Sequence, residues 1–129
     1  MSSQNNSMLN QHHPNKHVRS FYYAGRGLSH IIKNEANFRI HVLAAILVVG
    51  LAAYLKFNYI EWVVLSFTIG FVFITEILNT LIEELIDHLV KEHHESARII
   101  KDLGAAAVLT AAGLSLVVAG LLFVPKLLA

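Results

Sequence analysis

Three long apolar stretches dominate the pattern of hydrophobic and polar positions along this chain. No Lys, Arg, Asp or Glu occurs from Ile40 to Leu55, from Trp62 to Thr75 or from Leu103 to Pro125. A transmembrane helix needs about 20 predominantly apolar residues, and each stretch reaches this length with its flanking residues. The membrane-spanning helices that the pattern predicts cover about 36–55, 58–87 and 100–125.

The segment before the first apolar stretch has a different pattern. From residue 16 to 33, apolar side chains recur at helical spacing between basic ones, which predicts an amphipathic helix lying in the membrane interface. Gly25 and Gly27 weaken the pattern and mark either a kink or a close approach to the backbone. Residues 1–15 are rich in Ser, Asn, Gln and His and predict a disordered polar tail. The expected fold is an all-α membrane domain spanning 16–129.

A polar stripe follows the second apolar stretch. At about 100° per residue, Glu76, Asn79, Thr80, Glu83 and Asp87 share one face of a helix. Carboxylates on an apolar membrane helix are costly unless they line a site, so this stripe is the first candidate for function. The alternative is a helix that leaves the membrane with its charges solvated. That alternative suits Glu76 least, because apolar residues flank it on both sides.

Composition narrows the classes of function. The chain has 129 residues, of which 55% are hydrophobic and 15% charged, so it holds one domain at most and favours a membrane protein. A net charge of +1 shows no nucleic-acid footprint. The absence of Cys excludes disulfides, thiolate catalysis and Cys-based zinc sites. Residues 1–17 contain no apolar region of the kind that a signal peptide carries.

The basic residues predict the orientation of the spans. Five Lys and Arg residues precede the first apolar stretch and three lie between the second and third stretches, which leaves only Lys56 and Lys126 on the other side. The positive-inside rule then places the N-terminus and the acidic stripe in the cytoplasm. The conspicuous polar side chains therefore gather at one face of the membrane.

Four segments of the chain together resemble a known family. Glu76–Asp87 (EILNTLIEELID) is followed by Lys101–Leu109 (KDLGAAAVL), and the earlier segments are Tyr23–Leu28 (YAGRGL) and Asn34–Arg39 (NEANFR). This chain closely resembles the bacterial diacylglycerol kinase and undecaprenol kinase family, which are small integral-membrane lipid kinases. The resemblance covers roughly residues 16–125.

The resemblance implies a fold, an activity and roles for particular residues. It implies three transmembrane helices, an interfacial helix, and a homotrimer with active sites between subunits in the bacterial inner membrane. It implies that ATP, with Mg²⁺ as cofactor, phosphorylates a membrane lipid alcohol, either undecaprenol or diacylglycerol. Glu76 becomes the general base, and Glu35 and Glu83 become the magnesium ligands. The residues implied to contact ATP are Lys16, Tyr23, Glu35, Glu83, Glu92, His93, His94, Lys101 and Asp102. Those implied to shape the site are Asn79, Asp87 and Ala105.

The chain departs from the family pattern at a few positions. The family often has Arg near Lys16, Tyr in place of His93, and Ala in place of Leu81. His41 stands where the Gram-negative diacylglycerol enzymes carry Glu, and the surrounding sequence is more similar to the Gram-positive, undecaprenol-type members.

These residue types suit phosphoryl transfer. That reaction asks the protein mainly for positioning and charge neutralisation. Magnesium commonly takes one or two carboxylates plus the substrate phosphates, which fits Glu35 and Glu83. Glu76 and Glu83 are about 10 Å apart along a helix axis, so separate roles are expected for them.

Two other classes of function stay open on the residues alone. A cation channel or transporter subunit could use the Glu76–Asp87 stripe to line its path. A metal sensor could use His88, His93 and His94, although no familiar ligand spacing completes that set. Lys101 could also be a lysine that extends its charge to the membrane surface.

Overall fold

The computed structural model describes residues 15–92 and 94–128, with side chains from residue 18 onward. Its four helices are α1 (Asn15–Asn34), α2 (Ala36–Tyr54), α3 (Tyr59–Leu89) and α4 (Glu95–Leu128). The last three are long and apolar enough to cross a membrane. The all-α fold with three candidate spans is confirmed. The predicted tail lies outside the described residues apart from Asn15.

Helix α1 is continuous through Gly25 and Gly27. Its residues up to His30 form a compact unit of their own. Within that unit, the rings of Tyr22 and Tyr23 meet edge to face at 5.7 Å, and the Arg26 guanidinium lies 5.9 Å from the Tyr22 ring centre. Its apolar side chains are largely exposed. The placement of α1 in the membrane interface stays a prediction.

A tight turn joins α2 to α3. Lys56 has a φ of 55°, in the left-handed region. The amides of Phe57 and Lys56 bond back to the carbonyls of Ala52 and Ala53, at 3.1 and 3.2 Å, which is a Schellman ending of the helix. Asn58 then caps α3: its side chain accepts from the Glu61 amide, and its own amide donates to the Glu61 carboxylate.

The buried core of residues 31–128 lies beside this turn. Ala52 of α2, Phe57 of the turn, Leu65 of α3 and Phe123 of α4 form one cluster. Most other large apolar side chains of the spans are exposed within the single chain, as expected when hydrocarbon is the surrounding medium.

Helix α4 packs along α3 over much of its length, while α2 contacts α3 less extensively. Gly104 and Ala111 are the small residues of α4 that are buried. The connection between α3 and α4 is shorter than the gap between the predicted spans 58–87 and 100–125, because α3 continues to Leu89 and α4 begins at Glu95. This extension brings the end of the acidic stripe next to the start of α4.

Candidate active site

Glu76 is the one charged side chain that is fully buried among the described residues, with 2% of its surface exposed. The ring of Phe38 on α2 lies 5.3 Å from that of Phe73, one turn before Glu76 on α3, and holds the two helices together there. The carboxylate oxygen Oε2 of Glu76 has no hydrogen-bond partner in the described part of the chain. A buried, unpartnered carboxylate oxygen is costly to folding, so it marks a candidate functional group.

Asn79 extends this site along α3. Its amide nitrogen donates to Oε1 of Glu83 at 3.2 Å, whereas its amide oxygen Oδ1 is buried and has no partner within residues 15–92 and 94–128. Thr80 beside it is also buried. Asn79 therefore orients the Glu83 carboxylate while keeping a second unsatisfied oxygen close to Glu76.

Glu35 reaches the same region from α2. It occupies the N-cap position of α2, yet its side chain makes no capping hydrogen bond and is half-buried. Arg39 secures this junction by donating from Nη1 to the carbonyls of Ile32 and Lys33, at 3.2 and 3.0 Å. Glu35, Glu83 and His41 all lie close enough to Glu76 to interact electrostatically with its carboxylate.

The donor set is suitable for a magnesium ion that is shared with phosphates. Among residues 15–92 and 94–128, no three His, Asp or Glu side chains are grouped so as to hold a metal ion by themselves. Magnesium does not need such a cage, because it commonly binds one or two carboxylates and completes its shell with phosphates and water. The half-buried carboxylates of Glu35 and Glu83 beside the buried oxygens of Glu76 and Asn79 fit that mode.

A polar cavity of about 620 Å³ lies where α3 ends and α4 begins. Lys101 donates to both carboxylate oxygens of Asp87, at 2.9 and 3.2 Å. Arg98 pairs with Glu95 and, at 2.9 Å, with Asp102. The other lining residues are Ile86, Val90, Glu92, His94 and Ala97. The lining carries two cations and four carboxylates, so the phosphates of a nucleotide would bind here by taking the place of carboxylates now paired with Lys101 and Arg98.

A second, apolar cavity of about 140 Å³ lies between α2, α3 and α4. It begins at Val72 and Phe73, one turn from Glu76, and His41 also borders it. The hydroxyls of Thr68 and Ser115 on its wall donate to carbonyls of their own helices. The wall therefore offers mostly hydrocarbon, and a dry cavity of this size can hold a small apolar group.

Comparison with known proteins decides the family. A family model described as prokaryotic diacylglycerol kinase matches residues 22–123. The chain belongs to this family. The resemblance stated from the motifs is confirmed, and the chain is accordingly an enzyme, a lipid kinase.

Three curated relatives show how far the similarity extends. The undecaprenol kinase of Bacillus subtilis is 37% identical over 113 residues, covering 88% of this chain and 92% of that protein. The diacylglycerol kinase of Synechocystis is 41% identical over 110 residues, covering 84% of this chain and 63% of that protein. The diacylglycerol kinase of Escherichia coli strain K12 is 38% identical over 94 residues, covering 73% of this chain and 77% of that protein.

The structure brings several of the residues implied by the family motifs together in two groups. Glu35, Glu76, Asn79 and Glu83 form one group, and a second group lines the polar cavity: Asp87, Glu92, His94, Lys101 and Asp102. Ala105 is exposed and lines neither cavity. Tyr23 lies on α1, where its hydroxyl accepts from Arg19 at 3.3 Å. The side chain of Lys16 and the whole of His93 lie outside the described residues.

Three residues that the structure places at or near the site were not among the site residues predicted from the sequence. Arg98 was detectable, because it lies three residues after Glu95 and four before Asp102, the spacing of ion pairs on one helix face. His41 was noted only as a departure from the family pattern. Gly104 belongs to a run of small residues in the third span that permits close helix packing, but its position opposite Asn79 depends on how α3 and α4 pack.

Proposed function

We propose that this lipid kinase transfers the γ-phosphoryl group of ATP to the hydroxyl of a membrane lipid alcohol, with Glu76 as the general base. The observation that carries the proposal is the buried Oε2 of Glu76, which has no partner among the described residues and follows the uncharged stretch 62–75 of α3. Such an oxygen is suited to accept a proton from a hydroxyl that arrives from the membrane.

In the proposed reaction, the lipid hydroxyl gives its proton to Oε2 of Glu76 while its oxygen attacks the γ-phosphorus. The bond from that phosphorus to the bridging oxygen of ATP breaks, and ADP leaves with the electron pair. The protein supplies position and charge rather than a covalent intermediate. Burial of Glu76 also keeps bulk water away from the acceptor, which disfavours hydrolysis of ATP.

The polar cavity between α3 and α4 is the proposed nucleotide site. Lys101 and Arg98 would exchange part of their pairing with Asp87 and Asp102 for phosphate oxygens. Glu92 and His94 line the same cavity. We also propose contacts of ATP with Lys16, Tyr23 and His93, and these rest on the family motifs alone.

Glu35 and Glu83 are the residues that would hold magnesium. Bound there, the ion would neutralise charge on the transferred phosphoryl group. Asn79 would keep Glu83 directed toward it through its amide hydrogen bond. Asp87 would shape the nucleotide side of the site through its pair with Lys101. The proposed role of Ala105 in shaping the site rests on the family motif alone.

A short segment of the substrate's hydrocarbon, next to its hydroxyl, would lie in the apolar cavity near Glu76, and the remainder of the chain would lie in the surrounding lipid. One end of this cavity is a helical turn from the proposed base, and its walls are apolar side chains of three spans. A substrate placed this way has its hydroxyl at the polar stripe and its chain toward the membrane interior. Undecaprenol and diacylglycerol are both lipid alcohols of this kind, and the relatives' names include both.

The setting of the enzyme completes the proposal. We place it in the bacterial inner membrane with the N-terminus and the site in the cytoplasm, because of the asymmetry of the basic residues. A homotrimer with sites between subunits is the proposed assembly. The exposed apolar faces of the spans leave surface for such contacts.

A cation path lined by the acidic stripe has less support than the kinase. No Lys, Arg, Asp or Glu continues the stripe through residues 40–55, 62–75 or 103–125. Family membership also favours the enzyme.

One assay tests the proposed function directly. Purified protein in lipid vesicles is supplied with radiolabelled ATP and Mg²⁺, and diacylglycerol and undecaprenol are compared in parallel. We expect nucleotide-dependent label in the monophosphate of at least one lipid. Absence of labelled lipid with both substrates would contradict the proposal.

A further inference from the structure

Asn79 of α3 lies against Gly104 near the start of α4. A Cβ atom built on Gly104 would lie 2.5 Å from Oδ1 of Asn79 and 3.5 Å from its Cγ. Real Cβ atoms essentially never come this near to an oxygen. The amide of Asn79 therefore occupies the space that any side chain at position 104 would need.

Asn79 has little freedom to move away. Only 8% of its surface is exposed, so neighbouring atoms surround the side chain. Its amide nitrogen is committed to Glu83 at 3.2 Å, on the end opposite to Oδ1. A side chain at position 104 would have to rotate this amide, and rotation breaks the hydrogen bond to Glu83.

We propose that Gly104 is a positioning residue for phosphoryl transfer, because its missing side chain gives Asn79 the clearance to hold Glu83 in place. Gly104 touches neither the substrate nor the reacting atoms, and it acts through Asn79. This inference rests on the proposed function, in which Glu83 holds the magnesium ion that accompanies ATP.

Helix α4 contains its own control for this proposal. A Cβ built on Gly113 or Gly120 would meet nothing within 4 Å, in contrast to Gly104. Alanine is a better helix former than glycine, so helix propensity alone predicts that each Gly→Ala change preserves or raises stability. The clearance argument predicts damage at Gly104 only.

The test compares Gly104→Ala with Gly113→Ala in the full chain. For Gly104→Ala, we expect the Mg²⁺ concentration for half-maximal lipid phosphorylation to rise by about 10–100-fold, the usual cost of losing a partner that orients a metal ligand. Gly113→Ala should match the wild type. A readout without turnover is the binding of Mn²⁺, which replaces Mg²⁺ at oxygen sites, measured by electron paramagnetic resonance with a non-hydrolysable ATP analogue.

A double variant separates the proposed route from a general packing defect. Asn79→Ala removes the atoms that a side chain at 104 would strike, so adding Gly104→Ala to it should cost no further Mn²⁺ affinity. If Gly104→Ala fails to fold, the double variant should recover folding. Additive losses, a double variant that also fails to fold, or wild-type behaviour of Gly104→Ala would each overturn the inference. A wild-type protein that phosphorylates no lipid would instead contradict the proposed function.

Discussion

The polar groups toward the two ends of α3 differ in whether their hydrogen-bonding atoms have partners. Near the α2–α3 turn, Oε2 of Glu61 accepts from the Asn58 amide at 2.7 Å and pairs with Lys126 at 3.1 Å. Lys126 also lies 5.8 Å from the ring centre of Phe57. Toward the other end, Oε2 of Glu76 and Oδ1 of Asn79 are buried and find no partner in the part of the chain that the structure describes.

This difference distinguishes a structural carboxylate, Glu61, from a candidate functional one, Glu76, on a single helix. Glu61 caps α3 and ties it to the end of α4, so its interactions are satisfied within the fold. Glu76 is more deeply buried and gains no such compensation from the described residues. Folding with an unsatisfied buried group is unfavourable, and such groups are characteristic of sites that await a ligand.

The first prediction concerns the side of the membrane on which each end of the helices lies. Labelling is expected at one end and not at the other. Since the chain has no native Cys, Lys91→Cys and Leu128→Cys can each report one end. In intact cells, an impermeant thiol reagent should label Leu128→Cys and leave Lys91→Cys unmodified until the membrane is broken. Labelling of Lys91→Cys from outside would reverse the proposed orientation.

The second prediction compares the two carboxylates directly. Glu76→Gln keeps the shape of the side chain but removes the proton acceptor, which should lower kcat by about 10²–10⁴-fold. The apparent KM for ATP should stay nearly constant, because no ground-state nucleotide contact is lost. Steady-state kinetics with varied ATP measure both parameters.

Glu61→Gln is the matched variant at the other end. It weakens the pairing with Lys126, so thermal unfolding should occur at a lower temperature while kcat is unchanged. A higher KM for ATP with an unchanged kcat in Glu76→Gln would make Glu76 a nucleotide contact, and Asp87 would become the next candidate for the base.

The third prediction concerns the metal side of the functional end. Glu83→Gln should lower turnover and weaken the use of MgATP by about 10–100-fold, because a proposed magnesium ligand loses its charge. The adjacent Glu84→Gln is the control, since Glu84 is exposed and pairs with His88 at 3.7 Å. Kinetics at varied Mg²⁺ distinguish the two variants, and equal behaviour would remove Glu83 from the ligand set.

The fourth and smallest effect concerns the apolar cavity between the two ends. Ala45→Leu would fill part of this cavity and should raise the KM for the lipid alcohol by about 10-fold, with the KM for ATP unchanged. Ala53→Leu adds the same atoms at an exposed position of α2 and should have no such effect. An equal rise in both variants would show that the chain of the substrate does not occupy the cavity.

The arrangement of polar residues along α3 was only partly predictable. Helical periodicity places Glu76, Asn79, Thr80, Glu83 and Asp87 on one face, whatever lies opposite. The structure turns this uniform stripe into a gradient, in which the first three side chains are buried, Glu83 is half-buried and Asp87 is exposed. Burial depends on the neighbouring helices, and periodicity along one helix holds no information about them.

The sequence by itself determined the local features and the family. Uninterrupted apolar stretches require helices in a bilayer, because backbone groups in hydrocarbon must bond within their own segment. The motif from Glu76 to Asp87 with the later Lys101–Asp102 sufficed to identify a family of membrane lipid kinases, which the match over residues 22–123 confirms.

Only the tertiary structure decided which of these residues meet. It brought Glu35 from the start of α2 close to Glu76, paired Asp87 with Lys101, and placed Gly104 against Asn79. These contacts depend on the rotation and depth at which α2 and α4 pack on α3. That geometry results from the combined packing of many side chains distant in sequence, which no single motif encodes.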